Sequence, residues 1–488
     1  MKKFYVTTPI YYVNANPHIG HTYTTVAADC LARYHRLAGD KTFFLIGTDE
    51  HGAKIEEWAR NAGQEPQAFV DEVAASFRAA WDGLAISYDN FIRTTDPAHE
   101  RAVGNALEMM YAKGDIYKGS YKGLYCRGCE QFKNEKDLVD GLCPDHKTRP
   151  EEYEEESYMF RLSKYQDVLL KKIKSGELKI SPENRRNEVL SFYENEGLND
   201  VSFSRKNVKW GIPVPWDTTH TCYVWADAFL NYLTGLGWDG TPNPSSSPAL
   251  SPSPEREENV RFWPAEVQLM SKDILRVHAT IWPAMLLSLG LELPKEIFIH
   301  GFFLIDGQKM SKSLGNVIAP GELVLRYGAD AARYLLMSAT PFGNDGDISW
   351  AKFDEKYNAD LANGLGNLAA RVSNLLEKNE IMIELRKNSD EKLIKQCNQA
   401  MDGFHFDEAL KIIWEKLRQA DSRLTEKAPW KMTDKEKISE VLEPIAADIL
   451  NAAVLLEPFM PVMSQKIVTQ FSEKQIKKGE PLFPRLAQ

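Results

Sequence analysis

The chain has 488 residues, too many for one hydrophobic core, and this length points to about three or four domains. Its 43% hydrophobic and 26% charged residues are ordinary for a soluble globular protein, and no apolar run reaches the roughly 18 residues that a membrane span needs. A net charge of −10 excludes a uniformly basic nucleic-acid binder but not local basic surface, which is what phosphate binding requires.

Met1-Lys2-Lys3 leads straight into Phe4-Tyr5-Val6-Thr7-Thr8-Pro9-Ile10, a strand pattern without a secretory core or cleavage site, so a cytosolic protein is the plain reading. Thr22 to Leu37 carries Val26, Cys30, Leu31, Tyr34 and Leu37 at helical spacing, and Thr42-Phe43-Phe44-Leu45-Ile46-Gly47 is a second buried strand. This alternation predicts a parallel sheet covered by helices, with residues 1–115 as the first half of a nucleotide-binding domain. Residues 116–221 break the pattern with a Cys-rich, Gly-rich and charged segment. Alternation resumes over 222–306, which makes the middle segment an insertion in one domain. Motifs that follow strands in both halves can then meet at one sheet edge.

Thr241 to Pro254 contains ten Ser or Pro residues in fourteen and reads as a surface excursion with no assigned function. From 353 to 488 helical periodicity dominates and predicts an all-α bundle. Between Arg371 and Glu440 there are 14 basic and 14 acidic residues, so this region is balanced while the remainder carries the acidic excess. Gly364-Leu365-Gly366-Asn367-Leu368-Ala369 fits a dinucleotide fingerprint, but that fingerprint needs a preceding strand and Asp354 to Asn363 reads as helix. It is rejected.

Two short words, almost three hundred residues apart, carry the chemistry. His18-Ile19-Gly20-His21 lies where a strand gives way to a helix, whose first N–H groups and dipole favour phosphate. Gly20 leaves room for a base or ribose against the backbone, and both imidazoles can donate to phosphate oxygens. Lys309-Met310-Ser311-Lys312-Ser313 sits in a Gly-rich loop, with two ammonium groups placed for different oxygens of a triphosphate. Stabilising a transferring phosphate and a leaving pyrophosphate is mainly electrostatic, which suits these groups. No P-loop sequence occurs. Cys126-Arg127-Gly128-Cys129 and Cys143-Pro144-Asp145-His146 give two short-spaced ligand pairs for one tetrahedral zinc ion. Four protein ligands leave no open position, so one structural Zn2+ per chain is expected at Cys126, Cys129, Cys143 and His146. Cys30, Cys222 and Cys397 lack partners in sequence, which is not a disulfide framework.

The two words resemble the HIGH and KMSKS signatures of class I aminoacyl-tRNA synthetases. The neighbouring stretches Pro9 to Asn14, Gly47 to Gly52, Trp210 to Pro215, Tyr223 to Ala228 and Lys272 to Trp282 are similar to those of the bacterial methionyl-tRNA synthetase family, over essentially the whole chain. The resemblance implies a Rossmann-like parallel-sheet catalytic domain with a zinc-binding insertion, then a helical anticodon-binding bundle. Residues 307–352 would hold the KMSKS loop and the stem-contact region. It implies activation of L-methionine by Mg2+-ATP to methionyl-adenylate, and transfer to the terminal adenosine of tRNA(Met). Ile10, Tyr12, Trp225, Ala228, Tyr232, Ile274, His278 and Trp282 would line or shape a methionine pocket, with Asp49 on the α-amino group. His18, Gly20, His21, Lys309 and Lys312 would serve ATP and the transition state, with Asp273 at the ribose. Asn363, Asn367, Arg371 and Trp430 match the family's anticodon-reading positions. Asn363, Asn367 and Arg371 are four residues apart, hence on one helix face. Asn and Arg side chains can read base edges, and Trp430 can stack on a splayed base.

The sequence departs from the family pattern at the Ser/Pro-rich excursion and ends at Gln488 without the C-terminal extension through which relatives dimerise, so a monomer is expected. About 105 residues of insertion leave no room for the editing domain of isoleucyl, valyl or leucyl enzymes. A non-catalytic tRNA-binding descendant of a synthetase is the alternative, though both histidines and both lysines are present.

Overall fold

Phe4 to Thr7, Phe43 to Thr48, Val267 to Met270 and Ile297 to His300 are buried at every position, the pattern of strands covered on both faces. The computed structural model, which describes residues 2–126, 131–133, 135, 138–144, 147–241, 258–305, 307–310, 317–387 and 390–486, assembles them into one sheet. Across it run Tyr11–Tyr12, Lys41–Asp49, Lys3–Thr7, Val267–Ser271, Glu296–His300 and Lys179–Ser181, with Asn90–Arg93 also on Lys41–Asp49. Every pairing in this sheet is parallel. The two halves meet where Val6 lies opposite Val267.

The first strand is shorter than its apolar pattern. It ends at Thr7, Thr8 adds one hydrogen bond to Leu45, and pairing resumes only at Tyr11–Tyr12. Pro9 stands in the gap, where it has no N–H for a ladder. The following helix, Ile19–Leu37, begins three residues before the expected Thr22.

The interval 116–221 is divided rather than set apart. Ile116–Cys126 and Glu151–Phe160 form a long antiparallel ribbon, joined by Gln131–Lys133 and Val201–Ser202. Lys179–Ser181, from the same interval, pairs with Glu296–Phe298 as an edge strand of the central sheet. A three-residue strand carries too little periodicity to announce this from sequence.

Beyond Ser349, whose hydroxyl caps the Trp350–Lys356 helix, the described residues hold helices and no strands. Tyr357–Gly366 is wound as a π-helix before Asn367–Lys378 resumes α geometry. The rejected glycine fingerprint falls in these helices. One core runs from Val6 and Phe44 through Leu31 to Leu335, Leu361, Leu410 and Ile449, and so joins the sheet to the bundle. A buried ion pair crosses the same boundary. Arg333 meets Asp29 at 2.6 Å, both side chains fully buried, and its remaining donors reach the carbonyls of Leu84, Pro458 and Phe459. No helix among the described residues is long and apolar enough to cross a membrane.

Candidate active site

At the C-terminal edge of the sheet lies a cavity of about 430 Å³, within the usual size range of small-molecule sites. The strand ends supply its walls. Pro9 and Ile10 follow the first strand, Asp49 ends the second, Ser271 ends the third with Asp273 just after it, and His300 to Phe302 close the fourth.

The histidines of the first word build their own helix start. His18 is the N-cap, and its Nδ1 accepts from the Gly20 N–H at 3.1 Å. His21 reaches back so that its Nδ1 accepts from the His18 N–H at 3.4 Å. An Nδ1 that accepts leaves the ring proton of neutral imidazole on Nε2, so both rings present Nε2–H donors. The rings stack with centroids 3.8 Å apart. Methionine 310 of the second word also lines the cavity, and the Ile19 N–H donates to the Ile318 carbonyl at 2.9 Å, just past that loop. The fold thus brings the two distant words to one place. Lys309 is described by its backbone, paired with Leu304; its side chain and Lys312 lie outside the described residues.

The opposite wall is aromatic. Ile10, Tyr12, Trp225, Ala228, Tyr232, Ile274 and His278 all line the cavity, together with Phe229. Trp282 does not line it. It lies behind, stacked on Phe229 and tilted against Tyr232, with its Nε1–H donating to Gln268. Its role is to shape the wall.

His278 is held neutral. Its Nδ1–H donates to the Ile274 carbonyl at 2.9 Å, so Nε2 accepts from the Tyr232 hydroxyl at 2.8 Å. Burial lowers its pKa to about 4. Tyr232 is tied in turn, its carbonyl accepting from the Tyr5 hydroxyl at 2.7 Å. The wall therefore offers uncharged rings to whatever occupies it.

Sequence reasoning missed the group that fixes this wall to the Asp49 loop. Asp227, between Trp225 and Ala228, accepts from His51 Nδ1 and from His99 Nε2, each at 2.7 Å. Burial alone would raise the Asp227 pKa, but His51 and His99 hold it at about 2. His51 shifts upward, its burial outweighed by Asp227 and the more distant Glu100. Between Asp49 and His51, buried Glu50 is gripped by Arg93 at 2.7 and 2.8 Å and by Thr95 at 2.6 Å. Only the adjacency of His51 and Asp227 to pocket words hinted at this, since the partners are 128 to 176 residues apart.

These features agree with what the chain is similar to. A family model described as "tRNA synthetases class I (M)" matches residues 4–152 and 145–373, and one described as "Anticodon-binding domain of tRNA ligase" matches 388–484. A methionine–tRNA ligase of Caldanaerobacter subterraneus is 42% identical over 99% of this chain and 79% of the relative. The chain belongs to the class I methionyl-tRNA synthetases. The methionine–tRNA ligase of Thermosynechococcus vestitus is 44% identical over 96% of this chain and 89% of its own length. The structure of Mycobacterium tuberculosis methionyl-tRNA synthetase in complex with methionyl-adenylate matches with a TM-score of 0.89 at 37% identity, covering 99% of this chain and all of that one.

In this methionyl-tRNA synthetase fold, Arg371 of the bundle lies beside Trp430. Asn363 and Asn367 are exposed and Arg371 is half-buried. Asn363 lies in the π-wound segment rather than in an α-helix, yet still faces outward. Arg371 lies over the ring of the exposed Trp430 at 5.4 Å and pairs with Asp421 at 2.7 Å. Arg485, near the end of the described chain, donates to Asn363 at 2.8 Å.

Of the four zinc-ligand candidates, Cys126 and Cys143 are buried. Cys143 starts a tight turn, its N–H donating to Thr148 and its carbonyl accepting from Lys147, both at 2.8 Å. Cys129 and His146 lie outside the described residues, as does the Ser/Pro-rich excursion beyond Thr241. A buried thiol at a tight turn, as at Cys143, is the donor type that a metal knuckle uses.

Acid should weaken the fold through the neutral histidines. An unfolded histidine titrates near about 6.5, whereas burial puts both His278 and His300 at about 4. Between those values the unfolded chain binds protons that the fold refuses, so stability falls as pH drops from about 6.5 toward about 4. His51, with its raised pKa, acts in the opposite sense. The calorimetric melting temperature is expected to fall between pH 7 and pH 5; a rise would contradict the neutral assignment.

Proposed function

We propose that the chain is a methionine–tRNA ligase that works in two steps. A carboxylate oxygen of L-methionine attacks the α-phosphorus of ATP and pyrophosphate leaves. A ribose hydroxyl of the terminal adenosine of tRNA(Met) then attacks the acyl carbon, and AMP leaves. The observation that carries this reading is the single cavity joining His18, Gly20, His21 and Met310 to Asp49, Trp225, Tyr232 and His278. One end offers N–H donors to phosphate; the other offers a carboxylate for an ammonium and apolar rings for a thioether. Sulfur–aromatic contact adds about 0.3–1.5 kcal/mol there.

In this reading His18, His21, Lys309 and Lys312 stabilise the charge that develops on the transferring and leaving phosphates. Asp273 serves the ribose, and ATP enters with a metal ion, taken as Mg2+. The setting is the cytoplasm, where protein synthesis uses the product. The deciding experiment is amino-acid-dependent exchange of labelled pyrophosphate into ATP, run with all twenty amino acids and no tRNA. Exchange with methionine alone supports the reading; exchange with another amino acid would overturn the pocket assignment. No exchange at all would favour a tRNA-binding protein without the chemistry.

Asn363, Asn367, Arg371 and Trp430 are assigned to the anticodon. Exposure of a large aromatic beside an arginine plane is what stacking on a splayed base requires. Trp430→Ala is expected to lower aminoacylation by about tenfold, the loss of about 1–3 kcal/mol of stacking. Pyrophosphate exchange should stay near the wild-type rate, and equal loss of both activities would show the residue misplaced.

Cys126, Cys129, Cys143 and His146 are assigned to one structural zinc ion. Such an ion, when bound, ties together loops that have little core of their own. Cys126→Ser is expected to release zinc and lower the melting temperature of the inserted ribbon. A purified variant that keeps one zinc per chain by metal analysis would contradict the assignment.

A further inference from the structure

The strand Gly346–Ile348 is not part of the cavity, yet the two aspartates around Gly346 reach both parts of its nucleotide end. The strand pairs in parallel with Phe303–Ile305, which pairs in turn with Gln308–Lys309. Asp345 immediately precedes it and Asp347 lies in it two residues on, so both fall on the same side of the extended chain. Asp345 accepts from the Phe302 N–H at 2.8 Å and from Lys272 Nζ at 2.7 and 2.9 Å. Phe302 lines the cavity, and Lys272 immediately precedes Asp273, which also lines it. Asp347 accepts from the Gly307 N–H at 2.8 Å, at the turn two residues before Lys309.

The approach is close at the backbone too. A Cβ on Gly301 would lie 2.1 to 2.4 Å from backbone atoms of Asn344 and Asp345. Only glycine allows this contact. Lys272 Nζ also sits over the Phe302 ring at 4.7 Å, so pairing with Asp345 fixes Lys272 and Phe302 together.

We propose that Asp345 and Asp347 are positioning residues for the nucleotide half of the site, acting as a two-point clamp between its floor and the loop that carries Lys309. Asp345 holds the floor through Phe302 and Lys272. Asp347 holds the turn through the Gly307 N–H. Neither touches substrate; each acts by setting where other groups stand. A displacement of about 1 Å in such a group can cost about a hundredfold in rate. The proposal rests on the reading that this site activates methionine with ATP.

The test is steady-state pyrophosphate exchange, first on the wild-type chain and then on four variants. Methionine-dependent exchange by the wild type must be seen first, and its absence would sink the function rather than the clamp. Asp347→Ala is expected to lower kcat about 30-fold, with the methionine KM within twofold of wild type. Asp347→Asn keeps an oxygen that accepts from Gly307 and is expected to recover most of that loss. Lys352→Met removes the other partner of Asp347, an exposed lysine at 3.0 Å, and should change kcat by less than threefold. Asp345→Ala should raise the ATP KM about tenfold and leave the methionine KM unchanged. Should Asp347→Ala fail to fold by circular dichroism, the Asp345→Ala result decides. Unchanged ATP kinetics in the folded alanine variants, or an equal rise in both KM values, would overturn the clamp.

Discussion

Gly20→Ala is expected to lower the rate of methionyl-adenylate formation by two or more orders of magnitude with little change in methionine affinity. A Cβ at this position would lie 2.9 Å from His18 Cε1 and 3.0 Å from His18 Nδ1. The imidazole would have to swing away, and the cap it makes on the Gly20 N–H would be lost with it. That cap is what assigns the ring proton to Nε2. The His18 ring also stacks on His21, so both proposed phosphate donors would shift together. Misplacing such donors by about 1 Å costs about a hundredfold, because they act only where charge develops in the transition state. His21→Ala should give a loss of similar size by removing one donor and the stack. Single-turnover rates with saturating methionine and ATP separate this from a binding defect. A Gly20→Ala rate within threefold of wild type would mean that the histidines do not act through this geometry.

What the sequence disclosed and what it hid divide along physical lines. The parallel sheet was legible because strands buried on both faces read as unbroken apolar runs such as Phe43 to Ile46. The helical bundle was legible from its period. The meeting of His18 and His21 with the Met310 loop followed from strand ends sharing one sheet edge. The histidine cap is a role that histidines at a turn can take, though Ser, Thr, Asp and Asn are the usual N-caps, and His18 fills that place with a ring nitrogen. The return of Lys179–Ser181 to the central sheet was hidden by its length. The His51–Asp227–His99 group was hidden by distance along the chain, since nothing local marks a carboxylate shared by two remote rings. Whether Trp282 lines or only shapes the pocket stayed open, because an aromatic that lines a wall and one that backs it have the same periodicity. The π-wound segment is a difference of hydrogen-bond register, which side-chain pattern does not record.

The second large effect belongs to stability and lies at the junction of the catalytic sheet with the bundle. Arg333→Ala is expected to destabilise the chain by about 3 kcal/mol, the lower end of the cost of breaking a buried ion pair, because Arg33 stays on Asp29 at 2.7 Å. Asp29 is fully buried, and burial alone would raise its pKa, but Arg333 and Arg33 hold it below the usual carboxylate range. Its other oxygen accepts from the Ser87 N–H and hydroxyl at 2.7 and 2.6 Å, so the carboxylate cannot turn to solvent. Three main-chain carbonyls, of Leu84, Pro458 and Phe459, would also lose a donor. Because Asp29 is on the helix that His18 caps, while Pro458 and Phe459 belong to the bundle, the loss should loosen the junction before it melts either part. Hydrogen exchange should therefore rise first around Leu84 and Phe459, with the interior of the sheet protected longer. Removing both charges in Asp29→Leu with Arg333→Met should cost less than the single alanine change, since a buried pair replaced by apolar groups is often neutral. A single variant that loses less than about 1 kcal/mol, or a double variant worse than the sum of its parts, would show that the pair is not what joins the two regions.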